Sequence, residues 1–590
     1  MDWKALTDIL VVCLYFALII GIGLSQRSKS GSVEGFTLGD RQIAWWAVLA
    51  SILAAEISAA TFLGAPESGY SRLNWTYLQF AIGTVMARVL VSFIFIPVFY
   101  KHGVISLYEF LGDRFGKLSR TVASGTFLVT RVLAMGTRLY VAAIVLVIAY
   151  AAFKGSVVDA NEKFWIFAGA LIVISLLTAL YTTVGGIRAV IWTDFIQVGV
   201  LVAALGFTIY YLLTNVPGGW SGAMEHVKEP VFWNVAKPEE PGAMAWIINV
   251  FTSEYTIWAA FIGSTFVTMA THGIDQDTVQ RMLTAKNRKE SARATILSGI
   301  VDIPIVFSFV LIGVLLFAFY QAHPDKAALL PAENREVFPY FIMHEMPAGI
   351  RGIVIAGILA TAMGSLSTAL NALATSFASD FVFSRMKGDV TEARRVRVLR
   401  ISTVLFAVLI IVVGVVTAWY MAHNPKAEII PLVLGILGFT FGSLLALFLV
   451  AIFTKTRGND IGNVIAMACG IAAVLILSNV DLNPAKDGRQ SLAFPWRVTL
   501  GTLVTGAVAL CFRSPAKGTT CSRRGINAAI AVSAGILAAA GVWMWKARFA
   551  EPPADKVAAS AAAYPDKTDA QSNSSSATCA VRLTYMWTEG

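Results

Sequence analysis

Glu56, Ser58 and Thr61 sit in the middle of an otherwise apolar stretch, Ile43 to Tyr70. A carboxylate at bilayer depth is costly unless it faces a partner or a water-filled site. Irregular backbone at that depth is tolerated only where it is buried in protein or lines a cavity. The stretch therefore reads as a membrane-spanning helix with an interruption, and its chemistry as a polar binding site halfway across. A second constellation is TAMGSLSTALNA, Thr361 to Ala372. At i,i+3 and i,i+4 spacing, Thr361, Gly364, Ser365 and Thr368 share one helix face, and Ser367 adds another hydroxyl. Hydroxyls and freed carbonyls are hard oxygen donors of the kind small hard cations prefer. Close helix packing through small residues is the competing reading, and the residues alone leave both open.

Ionisable residues inside other apolar runs raise similar alternatives. Asp194, in GGIRAVIWTDFIQ, is either a solvated helix end favoured by the helix dipole or an ion ligand facing inward. Arg131 and Arg138 lie two turns apart on one helix face. Arg131 is expected to snorkel toward the cytoplasm, whereas Arg138 either pairs with an acid or holds an anionic or polyhydroxyl ligand. Arg88 reads first as a packing or gating salt bridge. His272 is either a proton relay or donor to a solute, or a hydrogen-bonded structural group. HEMPA at His344 lacks the second histidine of a zinc-protease helix. With neither a nucleophile elbow nor a phosphate loop in the chain, an enzyme is not expected.

These residues must be positioned by membrane-spanning helices. Of 590 residues, 57% are hydrophobic and 14% charged, far from the balance of a soluble domain. Apolar runs long enough to cross the hydrocarbon number about fourteen. They lie near 8–26, 43–70, 76–100, 119–152, 164–184, 190–214, 253–280, 294–320, 349–381, 398–422, 428–454, 459–480, 496–513 and 525–546. The first lacks a basic leader and a small-residue cleavage site, so it is expected to remain as a span. Every second connector is basic, from Arg27, Lys29 and Arg41 through Lys286, Arg288, Lys289 and Arg293 to Arg513, Lys517, Arg523 and Arg524. The positive-inside rule then makes those connectors cytoplasmic and both termini external, in a multi-pass protein of the cell membrane. The net charge of +10 follows this topology and forms no single stripe, which argues against nucleic-acid binding. The five cysteines show no metal-ligand spacing.

The order of the spans suggests internal symmetry. Setting aside residues 1–42 as an extra helix and linker, the broken span at 43–70 leads a five-helix unit, 43–214. After an external loop, 215–252, a second unit occupies 253–455 and also starts with a span rich in breaks: Thr265, Thr268, Thr271, His272 and Gly273. Paired broken helices in matching positions are the mark of inverted-repeat transporters. Flanking helices at 456–546 and a disordered tail at 547–590, rich in Ala, Ser, Asp and Pro with the low-complexity run SNSSSAT, complete the chain.

WWAVLASILAAEISAATFLGAPESGY, GGIRAVIWTDFIQ, DQDTVQRMLTAKN, TAMGSLSTALNALATSFASDF and GFTFGSLLALFLVAIFTKTRGN occur here in that order. In this the chain resembles the sodium:solute symporter family up to about residue 515, judged by span pattern. The resemblance implies an all-α LeuT-like fold of two inverted five-helix repeats, no cofactor, and sodium as the coupling ion. It implies import of a small polar organic solute, a sugar or an organic acid, across the lipid bilayer by alternating access. For a first sodium it implies backbone carbonyls of Ala54 and Ile57, the carbonyl of Thr361 and the hydroxyl of Ser365. Gly364 departs from the family's usual Ser, so one hydroxyl is missing and water, Thr361 or Glu56 would have to complete the shell. For a second sodium, Asp194, Ser367 and Thr368 match ligands found in some members. For the solute, the matching positions are Glu56, Thr61, Gln79, Arg138, Thr268 and His272, with Phe441 near a gate. Proton coupling through Glu56 and His272, or a channel or receptor on the same scaffold, are the rival readings. Neither the solute nor the oligomeric state follows from the sequence.

Overall fold

The computed structural model describes residues 3–26, 31–154, 159–227, 231–237, 242–331, 333–386, 389–423, 429–482, 490–514 and 523–549. Most of the expected tail lies outside them. Among the described residues the chain is helical, with no strand. Its principal helices are α1 (Trp3–Ser25), α2 (Trp45–Glu56), α3 (Ala59–Arg72), α4 (Leu78–His102), α5 (Lys117–Lys154), α6 (Ala160–Asn215), α7 (Ser264–Gly273) and α8 (Gln276–Met282). These are followed by α9 (Arg288–Ala322), α10 (Ile350–Phe377), α11 (Glu392–His423), α12 (Ile429–Phe453), α13 (Asp460–Leu477), α14 (Phe494–Cys511) and α15 (Arg523–Phe549).

Among the described residues, ten helices are long and apolar enough to cross a membrane, or eleven if the bent pair α2 and α3 is one span. Length and composition therefore do not establish fourteen. The expected spans at 164–184 and 190–214 are both within α6, which turns sharply at Gly186, where φ is +58°. Only glycine suits that turn, because a Cβ there would lie 2.5 Å from the carbonyl oxygen of Phe36.

The first expected interruption is present. Helix α2 ends at Glu56, Ile57 and Ser58 are extended, and α3 starts at Ala59. The two axes differ by 65°. The second interruption falls later than the sequence suggests. Thr265, Thr268, Thr271, His272 and Gly273 all remain in α7, and the break is at Ile274 and Asp275, before α8. Thr265 donates its hydroxyl back to the carbonyl of Phe261 at 2.5 Å, and Ser264 does the same to Ala260. Such back-bonding satisfies the hydroxyls within the helix, so polar residues there do not by themselves require a break. Asp275 then caps α8 by accepting from the N–H of Asp277 at 3.0 Å.

Two sets of helices surround these breaks. Helices α2, α3, α4, α7 and α9 pack on one another, while α5, α6, α10 and α11 form the other set. Helix α10 is buried along nearly its whole length, because its Gly, Ala, Ser and Thr residues let neighbours approach closely. It packs against α6, α5, α2 and α1. The extra helix α1 is fastened there by Asp8, which accepts from the N–H groups of Gly349 (2.7 Å) and Gly352 (3.0 Å) and pairs with Arg351. This is a carboxylate at the electropositive start of α10. The segment at 231–237 covers the helix starts on one side: Trp75 N–H donates to Val231 O, and Ile257 N–H to Asn234 O.

Candidate functional site: a crossing of a broken helix and a small-residue helix

The break after α2 lies against the middle of α10. Ser365 Oγ donates to the carbonyl of Ala55 at 3.4 Å, a long bond that shows the hydroxyl facing the break. Ala54, Ile57, Thr361 and Ser365 are all buried. The crossing therefore gathers the two expected carbonyl positions and the expected hydroxyl, although Ser365 meets the carbonyl of Ala55 and not that of Ala54 or Ile57. The Thr361 hydroxyl donates to its own helix, to Ile358 O at 2.7 Å. Gly364 sits where the backbones are closest: a Cβ there would be 3.2 Å from Ala54 O and 2.9 Å from Gln197 Oε1.

Beside this crossing lies Asp194, fully buried within α6, which rules out a solvated helix end. Its Oδ2 accepts from Ser51 Oγ at 2.5 Å, while Oδ1 has no hydrogen-bond partner among the described residues. Ser367 and Thr368 both donate to Gly364 O, at 3.0 and 2.9 Å. Gln197, one turn beyond Asp194, was not singled out by sequence. It is buried beside the Tyr15 and Tyr181 hydroxyls, and neither Oε1 nor Nε2 has a partner in hydrogen-bond geometry among the described residues. Its signal was its i,i+3 spacing from Asp194, which puts both on one helix face. These hard oxygens, with one carboxylate and no cationic side chain hydrogen-bonded to it, have the donor chemistry of an alkali-cation site.

Of the arginines, Arg88 forms the salt bridge the sequence suggested, and Arg131 departs from its expected place. Arg88 is a buried ion-pair centre, in contact with Glu56 and 3.9 Å from Asp302. His272 Nε2 lies 3.8 Å from the same Glu56 carboxylate. The cluster therefore draws one residue from each of α2, α4, α7 and α9. Arg131 does not snorkel to the surface: it is buried and pairs with Asp275 at 3.0 Å and with Asp277, which also pairs with Arg281 at 2.7 Å. Burial strands a lone cation in low dielectric, so the acids of α8 hold it inside. Arg138, half-buried two turns further along α5, has no ion pair or hydrogen bond among the described residues.

The remaining candidate residues lie as follows. Thr61 is half-buried on the first turn of α3, 3.5 Å from Ser58 Oγ. Gln79 is committed elsewhere: its amide donates to Thr76 O (3.0 Å) and Tyr255 O (3.5 Å) and accepts from Asn234 N–H (3.3 Å). That makes it an anchor for the segment around Asn234, with both donors used and one acceptor position on Oε1 remaining while those bonds stand. Thr268 and His272 are buried on α7, His272 Nδ1 lying 3.0 Å from Thr271 Oγ1. Phe441 is buried on α12.

Two helices broken in mid-membrane, facing a packed set of helices, form a site that can be opened to one side and then the other without irregular backbone meeting lipid. The chain is a transporter. It belongs to the sodium:solute symporter family, whose model matches residues 36–470. The sodium/sialic acid symporter SiaT of Proteus mirabilis is 30% identical over 469 residues, 78% of this chain and 86% of that protein. The sodium/sialic acid symporter NanT of Aliivibrio fischeri is 28% identical over 475 residues, 80% and 87% of the two chains. A solved structure of a Na+-coupled sialic acid symporter, substrate-bound and outward-open, superposes with a TM-score of 0.69 at 25% identity, covering 86% of this chain and 97% of that one. The fold is accordingly LeuT-like, the activity is sodium-coupled solute symport and not an enzymatic reaction, and the chain is a multi-pass membrane protein. Family membership favours sodium over the proton-coupled alternative, and a carrier over a channel or receptor.

Proposed function

We propose that the protein imports a small polar solute bearing a carboxylate, driven by sodium bound where α2 and α3 cross α10. The observation that carries the solute class is the unpaired guanidinium of Arg138. Arg88, Arg131 and Arg281 each have a carboxylate partner, and Arg138 has none among the described residues. An unpaired arginine in a spanning helix is favoured only if water or an anion meets it, and its planar fork suits a carboxylate. The likeness to sialic acid symporters supports the same class. Thr61 and the free N–H groups at the start of α3 would hold polar parts of the solute, with Thr268, His272 and Phe441 forming the remaining wall. Glu56 would act through Arg88 and His272 and set their positions, and Gln79 would act through the external loop.

In this reading Ala54, Ile57, Thr361 and Ser365 bind one sodium, and Asp194, Ser367 and Thr368 a second. Sodium at the crossing stabilises an outward-facing state with a formed solute site, so each ligand raises the other's affinity. The repeats span 43–214 and 253–455, both termini lie outside the cell, and the membrane is the plasma or inner membrane. The test is uptake into proteoliposomes under an inward sodium gradient, comparing sialic acids and monocarboxylates with neutral sugars. Sodium-dependent uptake of a carboxylate that Arg138→Gln abolishes supports the reading. Uptake of a neutral sugar alone, indifferent to Arg138→Gln, overturns it.

A further inference from the structure

Gly364 removes a hydroxyl from the crossing, and the space it opens is not vacant of oxygen. Gln197 Oε1 would lie 2.9 Å from a Cβ at residue 364, and Ala54 O 3.2 Å from the same point. An amide oxygen therefore borders the place where the family's usual serine would put its own. We propose that Gln197 Oε1 is a sodium ligand that replaces the missing hydroxyl and links the crossing site to the carboxylate of Asp194. This rests on the sodium reading of the crossing.

Three observations support it. Gln197 is only 2% exposed, with the Tyr15 and Tyr181 hydroxyls as near polar neighbours that do not reach hydrogen-bond geometry, and a buried amide without a hydrogen bond is unfavourable unless something else meets it. Both its polar atoms lack such a partner among the described residues, as does Asp194 Oδ1 one turn away. Elsewhere in this core, side-chain amides are bonded: Gln79 makes three contacts and Gln280 Nε2 bonds to Thr37 O and Asn371 Oδ1. An amide carbonyl is moreover a hard oxygen donor, suited to a small cation as a hydroxyl is. Glycine at 364 and glutamine at 197 are then a matched pair. The glycine forgoes its own ligand and, by having no side chain, admits the amide.

The matching makes the inference testable by exchange. The purified full-length chain is titrated with sodium chloride against a potassium chloride background, reading the sodium-dependent rise in melting temperature. Gln197→Ala should raise the half-saturating sodium concentration by about tenfold or more. Gly364→Ser alone should also weaken binding, because its Cβ displaces the amide. The double variant, Gln197→Ala with Gly364→Ser, restores a hydroxyl and frees its space, and should return to within about threefold of the original. If Gln197→Ala does not fold, Gln197→Glu keeps the length and an oxygen donor and should bind sodium at least as tightly. Unchanged half-saturation in Gln197→Ala, or weakened binding in Gln197→Glu, overturns the inference, as does tighter binding in Gly364→Ser alone. If the original chain shows no sodium-specific stabilisation, the underlying sodium reading fails instead.

Discussion

Two polar clusters share the apolar interior of this protein and are built on opposite principles. Around Arg131, two arginines meet two aspartates: Arg131 faces Asp275 and Asp277, and Arg281 faces Asp277. Formal charge there sums to zero, and the cluster joins α5 to the helix beyond the second break. Around Asp194, one carboxylate oxygen takes a serine hydroxyl and the other takes nothing, and a neighbouring glutamine amide is unbonded. Buried charge is tolerated when it is paired. The first cluster matches its charges in contact, although Arg131 Nε and Arg281 Nε and Nη1 have no hydrogen-bond partner among the described residues. In the second, Asp194 has no cation in contact among those residues and only the longer-range attraction of Arg281. The difference separates what holds the fold from what waits for an ion.

The largest effect is expected on breaking the charge-matched cluster. Asp277→Asn leaves Arg131 and Arg281 to share Asp275, and removing one partner of a buried pair typically costs about 3–5 kcal/mol. Melting curves with and without sodium should fall equally, because this cluster contains no ion ligand. A loss confined to sodium-containing buffer would show that the two regions are not separate.

Asp194→Asn should behave in the opposite way. In sodium-free buffer the variant should be as stable as the original or more so, since an unpaired buried carboxylate has been removed. Its sodium-dependent stabilisation should disappear, with half-saturation moved at least about tenfold. Equal stabilisation by sodium in both chains would make Asp194 a structural group and end the comparison drawn here.

The contrast also marks what could be read from the chain alone. Apolar runs and alternating basic connectors made the helical membrane architecture legible, and Glu56 with Ser58 marked the break after α2. The second break was misplaced because the Ser264 and Thr265 hydroxyls are satisfied by donating to backbone carbonyls of their own helix, so polar composition there did not mean irregular backbone. Ion pairs were illegible for a different reason: Arg131 and Asp275 are 144 positions apart, and no local pattern connects them. Gln197 was overlooked because one amide among apolar residues resembles packing, and only the fold shows that it is unbonded. The inward-facing role of Asp194 needed the same information, since spacing could not distinguish a helix end from the interior of α6.

Arg138 sharpens the comparison from the side of the solute. It is the counterpart of Asp194, an ionisable group with no ion pair in contact among the described residues, but of opposite sign, half-buried and attracted at longer range by Asp275. Arg138→Lys keeps the charge and loses the bidentate fork, so it should raise the solute KM by about tenfold while sodium-dependent stabilisation without solute stays unchanged. Arg138→Gln should raise it further. A fall in sodium affinity in either variant would place Arg138 with the structural cluster around Arg131.

The smallest effect is expected where a pair of the same chemistry lies at the surface. Glu34 and Arg41 meet at 3.1 Å, with the Glu34 side chain 55% exposed. Glu56 and Arg88 form the same kind of pair, but there the guanidinium is fully enclosed. In water each ion keeps most of its hydration and screening by salt weakens what remains, so an exposed pair contributes under about 1 kcal/mol. Enclosed, Arg88 cannot recover its lost hydration when its partner is removed, and the charge left behind determines the loss. Glu34→Gln should therefore shift the melting temperature barely and less still in high salt, whereas Glu56→Gln should lower it several times more and with little salt dependence. Equal shifts for the two variants would mean that Arg88 finds Asp302, 3.9 Å away, as a full substitute for Glu56.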